Sequence, residues 1–170
     1  MYISRIKDYF DEETRMIIVQ SLVLSVINYC IKIWGTSSNV YIEKIKKIQN
    51  FAARMAVQGV RKFDHITPTL QRLKWMRIKE KYTYEICLFT FKVLNDKFQN
   101  WLYHFPTVGN YRETLTKQNG NLFINHFRTD LGSRSMLTRV PSYWNALPQN
   151  IKNIASFSVF KNKLKDVFLP

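Results

Sequence analysis

Tyr41, Ile45, Ile48, Ala52 and Met55 follow one another at intervals of four, three, four and three residues. That rhythm puts their side chains on one face at 3.6 residues per turn and predicts a helix over 39–58. Its opposite side is basic. Projected at about 100° per residue, Lys44, Lys47 and Arg54 share a separate sector, and Arg61 and Lys62 extend it just past Gly59.

Comparable patterns recur on both sides of this segment. Asp11 is a good N-cap, with Glu12 and Glu13 in the first turn where the helix dipole favours negative charge, so a helix is expected to run to about Trp34, before Gly35. Ile17, Leu24, Ile27 and Ile31 form one stripe of it and Ile18, Leu22, Val26 and Ile33 fill the flanks, a pattern expected of a central, largely buried helix. Its uncharged run from Met16 to Ile31 is shorter than the roughly 20 residues of a membrane span and contains Gln20, Ser21, Ser25 and Asn28. Thr67-Pro68 reads as an N-cap and N1 proline of a short helix to about Leu73. From about Lys79 to Asp96, Tyr82, Ile86, Phe89 and Val93 make one stripe and Tyr84, Leu88 and Phe91 another, so this helix should be buried on more than one side.

The pattern then changes. Residues 106–121 are polar and include Gly109, Asn110, Asn119 and Gly120, as expected of a linker. Leu122 to Arg128 and Ser133 to Val140 read as short strands joined through Thr129-Asp130-Leu131-Gly132. Pro141 then opens a short helix that Pro148 stops, and Ser156 or Ser158 caps a last helix with Phe157, Phe160, Leu164 and Phe168 inward and Lys161, Lys163 and Lys165 outward. The expected fold class is mainly α: a helical bundle over 1–105, a polar linker over 106–121, and a C-terminal extension over 122–170 with a small β-hairpin and terminal helices.

With 46% hydrophobic and 22% charged residues and only 5 Gly and 5 Pro, the chain has the composition of a packed globule. Lys plus Arg number 26 against 12 Asp plus Glu, a net charge of +14, and the excess is spread over every long segment. A polyanion is the expected partner; a basic but inert surface, or a membrane-facing one, is the plainer reading of the same charge. Cys30 and Cys87 lie in apolar, helix-patterned stretches outside any CxxC motif, which points to a reducing, intracellular setting, nuclear or cytoplasmic, with no disulfide or zinc knuckle. No basic, then apolar, then small-residue signal opens the chain, so neither secretion nor a membrane partner is expected.

Six phrases, NYCIKIWG (28–35), KIQNFAARM (47–55), LKWMRI (73–78), FRTDLGSRS (127–135), YWNALP (143–148) and VFKNKLK (159–165), stand in the order and at the separations of one family. Together they resemble the region downstream of the polymerase palm in LINE-type (non-LTR) retrotransposon reverse transcriptases, and the likeness spans nearly the whole chain. The resemblance implies a thumb-derived helical bundle, entered part-way, followed by the element's carboxy-terminal extension. Its parent enzymes are RNA-directed DNA polymerases whose fingers and palm lie upstream of anything present here.

Polymerisation needs clustered carboxylates to hold two metal ions about 4 Å apart. Asp11, Glu12 and Glu13 splay around a helix turn and are accounted for by capping, and His65, His104 and His126 match no metal-ligand spacing. The expectation is therefore a noncatalytic fragment without cofactor, since magnesium would belong to the missing palm. What remains is electrostatic: thumb helices lie along nucleic-acid backbones, where cations neutralise phosphates without reading bases. Lys44, Lys47, Arg54, Arg61 and Lys62 are the first candidate set; Arg112, Arg128, Arg134 and Arg139, on the linker and hairpin, are the second. Trp34, Trp75, Trp101 and Trp144 could stack bases but sit among apolar neighbours, as core tryptophans do. The expected partners are an RNA or DNA duplex backbone and the missing fingers and palm. A rival reading is a protein-interaction or self-associating module, and a functionless remnant of a truncated element is a third.

Overall fold

The computed structural model describes residues 9–95, 105–108 and 120–169. Among these the architecture is mainly helical, and no strand forms beyond an isolated antiparallel bridge between Thr107 and Leu122. In chain order the helices are α1 (Glu12–Val19), α2 (Ser25–Asn28), α3 (Ile31–Trp34), α4 (Asn39–Ala56), α5 (Ile66–Leu73), α6 (Ile78–Leu94), α7 (Asp130–Arg134), α8 (Met136–Asn145), α9 (Gln149–Lys152) and α10 (Phe157–Phe168). Contacts group the described residues up to Lys81, with Leu169, into one compact unit and Tyr82–Phe168 into a second. The division falls within α6 and not at 106–121, of which 109–119 lie outside the described residues.

In the first unit, the helix expected to run unbroken from Asp11 to Trp34 is in pieces. Asp11 is its N-cap residue, but Gln20–Leu24 is π-helical, and Cys30 takes a left-handed conformation at φ 50° between α2 and α3. A π turn holds more residues than an α turn, so the inward positions become Val19, Ile27 and Ile31, while Ile17, Leu22, Val26 and Ile33 are exposed. The expected central helix is thus open along one side. On α4 the buried face is Ile42, Gln49, Ala52, Ala53, Met55 and Ala56, rotated from the predicted stripe so that Tyr41 and Ile48 face solvent. The small alanines let α1 approach closely, and Val19, Ala52, Ala53, Met55, Ala56, Leu70 and Trp75 form one core cluster; Ile27, Ile42 and Ile78 form another. Helix α5 begins at Ile66, with His65 and not Thr67 at its N-cap, and ends at Lys74 in a left-handed cap, φ 53°, where the Trp75 amide donates to the Leu70 carbonyl at 2.9 Å.

In the second unit, α6 buries Tyr82, Tyr84, Ile86, Leu88, Phe91 and Val93 of its two apolar stripes, and Cys87 besides, while Phe89 is only half-buried. Phe91 stacks on Phe160 of α10 with ring centroids 4.4 Å apart, and Trp144 lies 6.0 Å from Phe160.

The predicted hairpin is replaced by helices, for a local reason. The Thr129 hydroxyl accepts from the Gly132 amide at 3.1 Å, so Thr129 acts as an N-cap with Asp130 in the first turn, and a sequence read as a strand-joining turn starts α7. The extended residue Leu122 bridges to Thr107 and also meets a side chain. Its amide donates to Asn145 Oδ1 and its carbonyl accepts from Asn145 Nδ2, both at 2.8 Å, while Trp144 Nε1 donates to the Gly120 carbonyl at 3.1 Å. Pro141 lies inside α8 instead of opening a helix, and Pro148 serves as the N-cap residue of α9. The last helix agrees with its pattern: Phe160 and Leu164 are buried, and Lys161, Lys163 and Lys165 are exposed.

Candidate nucleic-acid interface

Helix α4 turns its alanines inward, and this turns its basic sector outward. Lys44 and Lys47 are exposed, as are Arg61 and Lys62 in the loop that follows Gly59, which occupies φ 82°. Arg54 belongs to the same sector but serves the fold: its two Nη atoms donate to the Asn50 carbonyl at 3.4 Å and the Asp64 carbonyl at 3.0 Å. The Arg61 amide in turn donates to Asp64 Oδ2 at 2.7 Å. Arg54 therefore ties the loop bearing Arg61 and Lys62 to α4 through Asp64.

The same sector carries apolar side chains that the sequence reading did not assign to it. On a wheel of about 100° per residue, Val40 and Phe51 fall between Lys47 and Lys44. Both are exposed, Phe51 by 43%, and Tyr41 beside them by 59%. Lys44 Nζ lies 5.3 Å from the Tyr41 ring centroid, and Lys62 Nζ lies 5.6 Å from that of Phe63, which is 91% exposed. The wheel position of Phe51 was the available signal; the apolar stripe assigned through Tyr41 and Ile48 concealed it.

The other side of α4 differs. A cavity of about 430 Å³ in the first unit is lined by Ile42, Lys46, Gln49, His65, Leu70 and Arg77 among others. Its cations are committed: Lys46 pairs with Glu43 at 3.1 Å, and Arg77 donates to Thr67 Oγ1 at 3.1 Å. The Lys46 ammonium, chiefly, with Lys79 further helping, holds the Glu43 carboxyl below its ordinary pKa. Gln49 is buried and donates to the Met76 carbonyl at 2.8 Å.

The second candidate set is not brought together on a hairpin. Arg128 is exposed ahead of α7. Arg134 pairs with Asp130 at 2.6 Å. The Arg139 guanidinium lies over the Tyr82 ring, 5.8 Å from its centroid. Arg112 lies outside the described residues, as do His104 and Trp101. Trp75 and Trp144 are buried, and Trp34 is half-buried with Nε1 donating to the Tyr29 carbonyl at 2.9 Å. His65 and His126 are exposed.

Among the described residues no group of three or more His, Cys, Asp or Glu could hold a metal ion, and no helix is long and apolar enough to cross a membrane. No family model, curated protein or solved structure matches the chain.

Proposed function

We propose that this chain is a noncatalytic C-terminal fragment of a LINE-type retrotransposon RNA-directed DNA polymerase, and that it grips nucleic-acid backbone without base specificity. The family part of this reading rests on the six sequence phrases. The binding part rests on one observation above all: Lys44, Lys47, Arg61 and Lys62 stand exposed along one side of α4 and its following loop, in a chain of net charge +14. Such a row neutralises successive phosphates and releases their counterions. The polymerase's metal-holding carboxylates belong, in this reading, to a palm outside the sequence.

Salt titration tests the mechanism. If about five phosphates are contacted, doubling the salt concentration lowers the affinity on the order of tenfold or more, and binding that ignores salt refutes backbone grip. Reversing Lys44, Lys47, Arg61 and Lys62 to Glu should abolish binding. Reversing Arg134 should matter far less, because Asp130 already engages it.

A second reading, a docking or self-associating module, is favoured by the exposed Ile17, Leu22, Val26, Tyr29 and Ile33 of the first unit. Light scattering across concentration separates the two: a clean monomer that binds no apolar dye counts against docking.

A further inference from the structure

We propose that the lysine face of α4 holds an unpaired nucleic-acid strand, with phosphates on Lys44, Lys47 and Lys62 and bases stacked on Tyr41, Phe51 and Phe63. The inference rests on the backbone-binding reading and narrows it to a substrate class. Cations alone serve a duplex and a single strand alike, because both present phosphates. Exposed rings do not, because in a duplex the base faces are already stacked on one another and only an unpaired strand can offer them to a protein.

Three features place rings and cations together. Phe51 lies on α4 between Lys44 and Lys47 in helical projection, in the middle of the basic sector instead of at its edge. Lys44 and Lys62 each lie against an exposed ring, at 5.3 Å for Tyr41 and 5.6 Å for Phe63, so a cation for a phosphate and a π face for a base occur side by side at both ends of the stripe. The bond from Arg54 to the Asp64 carbonyl, at 3.0 Å, fixes the loop bearing Lys62 and Phe63 to the helix bearing the others. From Tyr41 to Phe51 the helix rises about 15 Å, an extended track and not a point contact. The charge of +14 makes a polyanion the complementary occupant, and the aromatic character of the apolar members makes it one with bases.

The test uses the full chain with labelled oligothymidylate and a labelled blunt-ended DNA duplex of two strands, followed by fluorescence anisotropy. Replacing Tyr41, Phe51 and Phe63 together with Leu keeps apolar surface but removes the rings. Affinity for oligothymidylate should fall about tenfold or more while the duplex binds as before, and Tyr41→Phe, which retains a ring, should bind like the unaltered protein. Equal helicity by circular dichroism shows that these exposed substitutions leave the fold intact.

Oligothymidylate binding unchanged in the triple-Leu protein overturns the inference, as does an equal loss on strand and duplex. A companion protein with Lys44, Lys47 and Lys62 changed to Gln distinguishes the two levels of failure. If it weakens both probes while the Leu substitutions cost nothing, stacking alone is wrong; if it binds both probes normally, the backbone reading falls with it. Polyglutamate competing as well as oligothymidylate would assign the face to an acidic protein, and a mass that rises with concentration only when the rings are present would assign it to a second copy. Either result overturns the single-strand proposal.

Discussion

The unit ending at Lys81 shows apolar side chains to solvent along its first helical segments and along α4, where Ile17, Leu22, Val26, Ile33, Tyr41 and Phe51 are all exposed. Among the described residues of the unit beginning at Tyr82, Phe91, Phe105 and Phe160 are almost wholly buried, while Phe127 is exposed. Periodicity accounts for part of the difference, since α4 carries one apolar stripe opposite a basic sector and α6 carries two apolar stripes. In the second unit, aromatic rings fill the space between α6, α8 and α10, and side-chain amides close the extended stretches that accompany them. In the first, small residues at Ala52, Ala53 and Ala56 close one side of α4 tightly and leave the other side for cations and rings. One unit encloses aromatic rings in its core, and the other leaves apolar side chains exposed on α4 and on the segments before it.

If that contrast is right, truncating the closed core should be the most damaging change. Phe160→Ala removes the partner of Phe91 and Trp144 and should cost about 3–5 kcal/mol, read as lost amide protection in α6 and α10 by hydrogen exchange. Protection in α4 that fell by the same amount would break the distinction between the units.

Alkaline pH should act on the same unit. Burial pushes the Cys87 thiol up from 9.0 to about 12 and also raises Tyr82 and Tyr84. Because the folded state then holds protons that the unfolded state releases, stability is fully present below pH 9 and falls as pH rises through the Cys87 window, at about 1.4 kcal/mol per pH unit. Cys87→Ala should flatten that part of the slope; an unchanged slope would show that the thiol is not the source. At the acid end the sign is reversed and the first unit is affected: Asp11, lowered chiefly by the Thr14 side chain, and Glu43, lowered chiefly by Lys46, favour folding above their ordinary range and lose that contribution as pH falls.

Asn145→Ala strips both partners from buried Leu122 and should destabilise the second unit by about 1–3 kcal/mol in a denaturant melt. Smaller still, and opposite in sign, Lys74→Gly should stabilise the first unit by about 1 kcal/mol, since the left-handed cap of α5 suits glycine. The least effect on stability, within about 0.5 kcal/mol, is expected for Val26→Ser on the open face. It should nonetheless reduce apolar-dye binding, which would sharpen the contrast, because surface apolarity would be shown to serve something other than folding.

Much of the helical content was legible from spacing. The limits of α4, the double burial of α6 and the inward Phe160 and Leu164 of α10 follow from apolar rhythm, which is local and survives any tertiary arrangement. The first segment was misread because it is apolar on nearly every side: a wheel without a polar face cannot say which apolar face is inward, and the π turn shifts the register further. The hairpin was misread because Thr-Asp-Leu-Gly suits a turn and an N-cap equally, and only the capping bond from the Gly132 amide to Thr129 distinguishes them. Gly132 is itself a packing requirement, since a Cβ there would overlap the Phe127 side chain.

The candidate site divides in the same way. Lys44 and Lys47 were readable as one basic sector because residues at helical spacing share a face whatever surrounds them, and Arg61 and Lys62 only as cations that follow the helix closely in the chain. Phe51's place between the lysines could be read from the wheel, but that Arg54 holds the loop, that Arg134 and Arg139 are engaged within their own unit, and that Phe51 and Phe63 stand exposed could not. A side chain's type and spacing fix which neighbours along its own helix it shares a face with, and this much the sequence determined. Which of those faces is covered, and which cation is left over after internal partners are satisfied, depends on segments distant in the chain, and those only the tertiary structure brings into contact.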